Sequence, residues 1–350
     1  MSGRADATAR LEQRIGAIAT FTDLRALIAG STFSERWKLD GAWAAGVLAD
    51  ALGDDWPGRF RSRSQPYLKF ALAPHLLPQL ASTVELAARL RQLNGSPGLT
   101  DVVRHMRTQL EPGVMGHASL QLEVASLEKK RSGSVALEVD QGPGHWKPDV
   151  MLSLAGSAVG VECLRLGVAD EIASHLATPG RPEKAVDGWR RIGAKIIVKA
   201  GQPAEAGGWL RCEFDDGMFA GQPWFRSALS AMSLPDKAAV LAEGSRQAMR
   251  TTGRIHGVVL SSPPASGMQE QDETCQLPAG CVALRRRLIA GRTRETFIIP
   301  GAHAATAETN AWTELYDHET AFLAWVLPTV HPGHNKPSPT EQPLGVPDDE

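Results

Sequence analysis

The sequence lacks the features that mark zinc-binding, membrane-spanning and secreted proteins. Its four cysteines include no C-x-x-C pair, which argues against a structural zinc site and is typical of reduced intracellular thiols. No apolar run approaches the roughly 18 residues that span a bilayer. The first segment carries early acidic residues and no long apolar stretch, which is unlike a secretory signal. We therefore expect a cytoplasmic protein that does not contact a membrane.

Strong net charge and the common catalytic motifs are also missing. The formal net charge of the 350 residues is -2, so any nucleic-acid contact must come from a local basic patch. The stretch GSAVG joins two predicted strands and lacks the helix that follows a phosphate-binding loop. Ser261 lies outside any G-x-S-x-G elbow, which leaves a hydrolase triad with little support.

The pattern of apolar residues predicts an α/β protein with several parts. Helical spacing predicts a mainly helical N-terminal region over residues 1–113. Residues 114–330 are predicted to form an α/β domain with a C-terminal αβ extension. Residues 331–350 are rich in proline and polar side chains, which predicts a disordered tail.

The predicted α/β domain begins with the element order α-β-β-β-α-β. A helix that ends at Gly133 is followed by three strands, and a tight turn joins the last two. A second helix is predicted from near Pro182 to Gly201, before a fourth strand with the sequence GWLRCEF. The candidate site residues belong to these elements.

Acidic residues on the first helix and on two strands form a candidate metal site. Asp149 opens one strand and Glu162 lies in the next, so their carboxylates can meet across the hairpin. Glu123 lies on the sheet-facing side of the helix, where a shared metal would supply the partner that a buried carboxylate needs. The alternative for Glu123 is an ordinary surface acid. Carboxylate oxygens from two strands suit Mg²⁺.

Candidate cations lie on the second predicted helix and near the C-terminus. Lys195, Lys199 and Gln202 fall on one helical stripe, where a lysine could orient a water or neutralise a developing charge. The alternative is a solvated lysine face. The run RRRLIAGRTRE is the strongest basic run and could contact phosphates, or it could be a solvated charged loop. Its first three residues are Arg285, Arg286 and Arg287.

These residues carry a resemblance to a known family. The Pro148-Asp149 dipeptide, the later Glu162 and the element order resemble the PD-(D/E)XK nuclease superfamily, which has the restriction-endonuclease-like fold. The resemblance covers residues 116–215. It implies a restriction-endonuclease-like core in which Glu123, Asp149 and Glu162 bind Mg²⁺ or Mn²⁺. It also implies metal-dependent hydrolysis of phosphodiester bonds, with nucleic acid, DNA in particular, as the partner.

The chain departs from the superfamily pattern at one position. The E-x-K motif becomes Glu162-Cys163-Leu164, so leucine replaces the catalytic lysine. Some members of the superfamily carry this lysine on the following helix, and Lys195 or Lys199 fits such a migration. The alternative, which Leu164 favours, is a catalytically degenerate nuclease-fold protein that binds nucleic acid or a protein partner.

Overall fold

The structure is a computed structural model of the chain. It describes residues 18–63, 77–110, 112–140, 146–166, 207–214, 233–252, 255–262, 265–266, 272–288 and 292–326. The chain divides into two compact units: the first comprises Met1–Asn94, Thr100–Ala118 and Ala321–Glu350, and the second comprises Gly95–Leu99 and Ser119–Thr320. The predicted tail over residues 331–350 lies outside the described residues.

The described part of the first unit is helical. Its helices include α1 (Phe21–Ala29), α2 (Glu35–Leu52), α3 (Trp56–Arg63), α4 (Leu77–Gln92) and most of α5 (Leu99–Thr108). Helix α1 begins at the N-cap Thr20, whose hydroxyl accepts a hydrogen bond from the backbone of Asp23, and the Asp23 carboxylate bonds back. The helix ends at Gly30, as predicted. The indole of Trp56 packs on Phe21 and donates to the carbonyl of Met106.

The second unit is built around a mixed sheet, which confirms the predicted α/β class. The strands are β1 (Ala136–Leu137), β2 (Val150–Leu154), β3 (Ser157–Leu166), β4 (Gly208–Phe214), β5 (Ile255–Ser261), β6 (Ala265–Ser266), β7 (Glu273–Gln276), β8 (Val282–Arg287) and β9 (Arg292–Pro300). Their order is β1-β2-β3-β4-β5-β9-β8-β7, and β6 pairs with β9. The three central strands β3, β4 and β5 run parallel, and the other pairs are antiparallel.

Three helices and a short 3-10 turn complete the described elements. They are α6 (Pro112–Ser132), α7 (Leu234–Thr252), the 3-10 turn (Pro278–Gly280) and α8 (Thr306–Val326). Helix α6 and strands β1 to β4 follow the predicted order, but the helix predicted from near Pro182 to Gly201 lies outside the described residues. No helix in the described part of the chain is long and apolar enough to cross a membrane.

Backbone geometry explains how the first three strands are arranged. The turn between β2 and β3 uses positive φ at both Ala155 (53°) and Gly156 (81°), the geometry that joins two strands in a tight hairpin. The resulting register pairs Val150 with Val161. Strand β1 is shorter than the predicted strand SVALEV, because Glu138 takes a φ of 50° that does not belong to extended backbone.

The basic run near the C-terminus does not form the solvated charged loop that was one of its two predicted alternatives. Its arginines lie on the adjacent antiparallel strands β8 and β9. Arg285, Arg292 and Arg294 are buried, so that alternative is wrong for these three residues. The burial of Arg285 and Arg294 is possible because acidic side chains of the second unit pair with them.

Candidate functional site

Asp149 lies directly before β2 and is buried. One carboxylate oxygen, Oδ2, accepts a hydrogen bond of 2.6 Å from the backbone N–H of Cys163 on β3. The other, Oδ1, accepts a bond of 2.8 Å from the side-chain amide of Gln121 on α6. The aspartate is therefore held in one orientation between the helix and the strand. The register of the hairpin pairs Val150, which follows Asp149, with Val161, which precedes Glu162.

Gln121 brings a second carboxylate to Asp149. The same amide nitrogen that donates to Asp149 also donates to Oε1 of Glu138, at 2.7 Å. Carboxylate oxygens of Glu138 and Asp149 lie within 4.8 Å of each other. Two carboxylates this close suit a hard divalent cation, which takes one or two carboxylates in proteins and keeps several waters. We call Gln121, Glu138 and Asp149 the acidic site.

The backbone around Glu138 fixes the shape of the acidic site. Its N–H donates to the carbonyl of Asp149 at 3.0 Å, and the next N–H, of Val139, donates to the carbonyl of Pro148 at 3.3 Å. The positive φ of Glu138 is unusual for a residue with a side chain, and such conformations persist where the surroundings hold them. The two hydrogen bonds continue the antiparallel pairing of β1 and β2 and keep Glu138 beside Asp149.

A lysine lies beside the acidic site. The ammonium of Lys147 lies 3.1 Å from Oε2 of Glu138, and the lysine side chain is 46% exposed. The site therefore includes a positive group beside its carboxylates.

Glu162 is oriented by a tryptophan. Its Oε2 accepts a hydrogen bond of 3.0 Å from the indole nitrogen of Trp146. Glu162 is half-buried, as is Leu164 two residues later, while Cys163 between them is buried. This alternation agrees with the predicted strand faces. Among the described residues, the group of potential metal ligands around Asp149 does not include Glu162.

Glu123 has partners of another kind. It is buried on α6, and its two oxygens each lie 2.9 Å from a guanidinium nitrogen, one of Arg211 on β4 and one of Arg294 on β9. Arg294 also pairs with Glu319 on α8 at 2.5 Å. The partner that a buried carboxylate requires is thus supplied by two arginines, and the ligand role of Glu123 stays a prediction.

This buried ion-pair network sets the charge state of its members. Burial opposes the charge of Arg211, but Tyr316 and the neighbouring carboxylates outweigh it and raise the arginine's pKa above its ordinary value. Burial, followed by the negative charge of Asp149, raises the pKa of Cys163 well above that of a free thiol. Cys163 therefore stays a neutral thiol. It contributes to packing and does not act as a nucleophile, because the thiolate is the nucleophilic form.

The remaining predicted site residues are spread more widely. Lys195, Lys199 and Gln202 lie outside the described residues. Arg285 is buried between Glu295 and Glu273, with N–O distances of 2.8 and 2.6 Å. Its neutralised and buried guanidinium is poorly available to a phosphate. The last two residues of the predicted basic patch are more accessible: Arg286 is half-buried and pairs with Asp317, and Arg287 is exposed.

Sequence reasoning missed Gln121, Glu138 and Lys147. Gln121 is neutral, and Glu138 lies in a stretch whose alternation predicts a continuous strand. Lys147 could have been found from its position directly before Pro148-Asp149. A residue before proline is held in an extended conformation, which keeps Lys147 close to Asp149 along the chain.

Comparison of the chain with protein-family models, with curated proteins and with solved structures finds no match.

Proposed function

We propose that the protein is a metal-dependent nuclease that hydrolyses phosphodiester bonds in nucleic acid, DNA in particular, on a restriction-endonuclease-like core. One observation carries this proposal: Gln121 holds the carboxylates of Glu138 and Asp149 together beside β3. The order of α6 and strands β1 to β4 supports it as well. In this proposal Glu138 and Asp149 replace the ligand set of Glu123, Asp149 and Glu162 that the resemblance implies.

The chemistry of the acidic site fits Mg²⁺ or Mn²⁺. Both carboxylates offer hard oxygen ligands, and the Lys147 ammonium shows that the site already accepts positive charge. A divalent cation bound there would polarise a phosphoryl oxygen and lower the pKa of a bound water. The residues of the chain contribute by orientation: Gln121 and the N–H of Cys163 fix both oxygens of Asp149 before any ligand arrives.

The test is a cleavage assay on plasmid DNA, single-stranded DNA and RNA with Mg²⁺ or Mn²⁺. We expect Asp149→Asn and Glu138→Gln to lose cleavage, because each removes one anionic ligand and keeps the side-chain shape. The matched control is Glu35→Gln, which neutralises a carboxylate whose side chain is 86% exposed on α2. Cleavage that survives in Asp149→Asn, or that falls equally in Glu35→Gln, would contradict the proposal.

A second candidate is a degenerate nuclease-fold protein that binds nucleic acid or a protein partner without cutting. Two observations favour this candidate. Leu164 occupies the position of the superfamily lysine, and Glu123 forms ion pairs with two arginines. The same assay separates the candidates when it is combined with an electrophoretic shift measurement. A degenerate protein would retard nucleic acid without cleaving it, and Asp149→Asn would leave the shift unchanged.

A further inference from the structure

The ammonium of Lys147 forms an ion pair with Glu138 of the acidic site. It lies 3.1 Å from Oε2 of Glu138, while Oε1 of the same carboxylate accepts the amide of Gln121 that also bonds Asp149. A lysine side chain that is 46% exposed keeps contact with water and with any ligand that approaches the site. The lysine is thus next to the Glu138 carboxylate and open to solvent.

The backbone limits where Lys147 can go. Because it precedes Pro148, its own backbone is restricted to extended conformations. The carbonyls of Pro148 and Asp149 accept the N–H groups of Val139 and Glu138, which ties this segment to the strand-like stretch opposite. An exposed surface ion pair contributes little to folding stability, so the contact of Lys147 with Glu138 adds little to the stability of the fold.

The structure points to a role for Lys147 that rests on the proposed nuclease function. We propose that Lys147 is the catalytic lysine of this site and supplies the positive charge that Leu164 lacks. Its ammonium would donate a hydrogen bond to a non-bridging oxygen of the scissile phosphodiester, where negative charge grows as water attacks. Leu164 is apolar and half-buried on the strand face that carries Glu162, so it offers no donor there.

The reaction that Lys147 would assist is a hydrolysis with no change of oxidation state. The oxygen of a water molecule forms a bond to phosphorus, and one phosphorus–oxygen ester bond breaks. The attacking water gives up a proton to solvent, and the leaving oxygen takes one from solvent. Lys147 stays protonated throughout and acts through charge and hydrogen bonding alone.

The test compares Lys147→Ala and Lys147→Arg with the wild-type chain in two measurements. The first is the Mn²⁺-supported cleavage rate on DNA, and the second is Mn²⁺ affinity by calorimetry. The matched control is Lys38→Ala, which breaks another surface ion pair, with Glu35 at 2.8 Å. We expect Lys147→Ala to cut the rate on the order of 10²–10³-fold. Lys147→Arg should recover part of that loss, because it restores a cation at the same place.

Mn²⁺ affinity distinguishes a catalytic role from a structural one. Removing a cation that competes for Glu138 should leave Mn²⁺ binding to Lys147→Ala as tight as in wild type or about three- to tenfold tighter. Weaker binding would mean that Lys147 only shapes the site, which overturns the proposal.

Failure of this proposal and failure of the proposed function give different results. Cleavage that depends on Asp149 but stays within about threefold of wild type in Lys147→Ala overturns the role of Lys147 and keeps the nuclease. A wild-type chain that binds DNA but cleaves none of the substrates overturns both.

Discussion

The most informative perturbation of the second unit is Glu123→Gln, because two explanations of this residue predict opposite results. The carboxylate lies 2.9 Å from both Arg211 and Arg294, and these three side chains are at most 6% exposed. Breaking a buried ion pair by removing one partner typically costs about 3–5 kcal/mol, because the remaining charge is left buried without compensation. Glutamine keeps the shape and one acceptor oxygen, so we expect a loss near the lower end, about 3 kcal/mol.

Urea unfolding followed by circular dichroism measures this loss. With a slope of about 3 kcal/mol per molar urea, a loss of about 3 kcal/mol lowers the midpoint by about 1 M. The exposed control Glu35→Gln should change the stability by less than about 0.5 kcal/mol. Calorimetric titration with Mn²⁺ should give the same affinity for Glu123→Gln as for wild type, because the arginines already neutralise this carboxylate.

The opposite pattern would refute the reasoning. A Glu123→Gln variant that is as stable as wild type but binds Mn²⁺ more weakly would show that Glu123 is a metal ligand, as the resemblance implies. The arginine pairs would then contribute little to the stability of the second unit.

Two further predictions concern backbone space and a buried thiol. Gly98→Ala should destabilise the protein strongly, because an added Cβ would overlap a backbone carbonyl oxygen of β1. The control Gly95→Ala is also at positive φ but has no atom within 4 Å of the added Cβ, so it should cost only about 1 kcal/mol. Equal urea midpoints for the two variants would contradict this prediction. Burial raises the pKa of Cys163 above its ordinary value of 9.0, so the unfolded chain loses the thiol proton at a lower pH than the folded chain does. The stability that this thiol contributes is therefore fully present below pH 9 and is lost as the pH rises further. Between pH 8 and pH 10 the wild type should therefore lose more stability than Cys163→Ala, and parallel losses would count against the buried neutral thiol.

Local patterns were sufficient to predict the part of the fold around Asp149. The helix ending at Gly133 and the hairpin of β2 and β3 follow from glycine positions and from alternation of apolar residues. Strand β4 covers the residues that its sequence predicted. These elements depend on near neighbours in the sequence, which explains why single-sequence reasoning recovers them.

Features that depend on distant partners could not be predicted. Arg294 is compatible with a buried strand only because Glu123 and Glu319 reach it from two helices. The pairing of Glu138 with Asp149 depends on the positive φ of Glu138 and on the neutral Gln121, neither of which has a distinctive sequence pattern. The sequence placed the candidate site at Asp149, which stays a prediction, while Gln121 and Glu138 beside it emerged only from the three-dimensional arrangement.

Calorimetric titration of Mn²⁺ into the wild type, Asp149→Asn and Glu138→Gln tests the central claim most directly. The measurement asks whether the two carboxylates that share Gln121 hold a cation, independently of any substrate. We predict one bound Mn²⁺ per chain in the wild type and in Glu35→Gln, and an affinity at least tenfold lower in each site variant with an unchanged circular dichroism spectrum. Wild-type affinity in Asp149→Asn, or no Mn²⁺ binding by the wild type, would contradict the account.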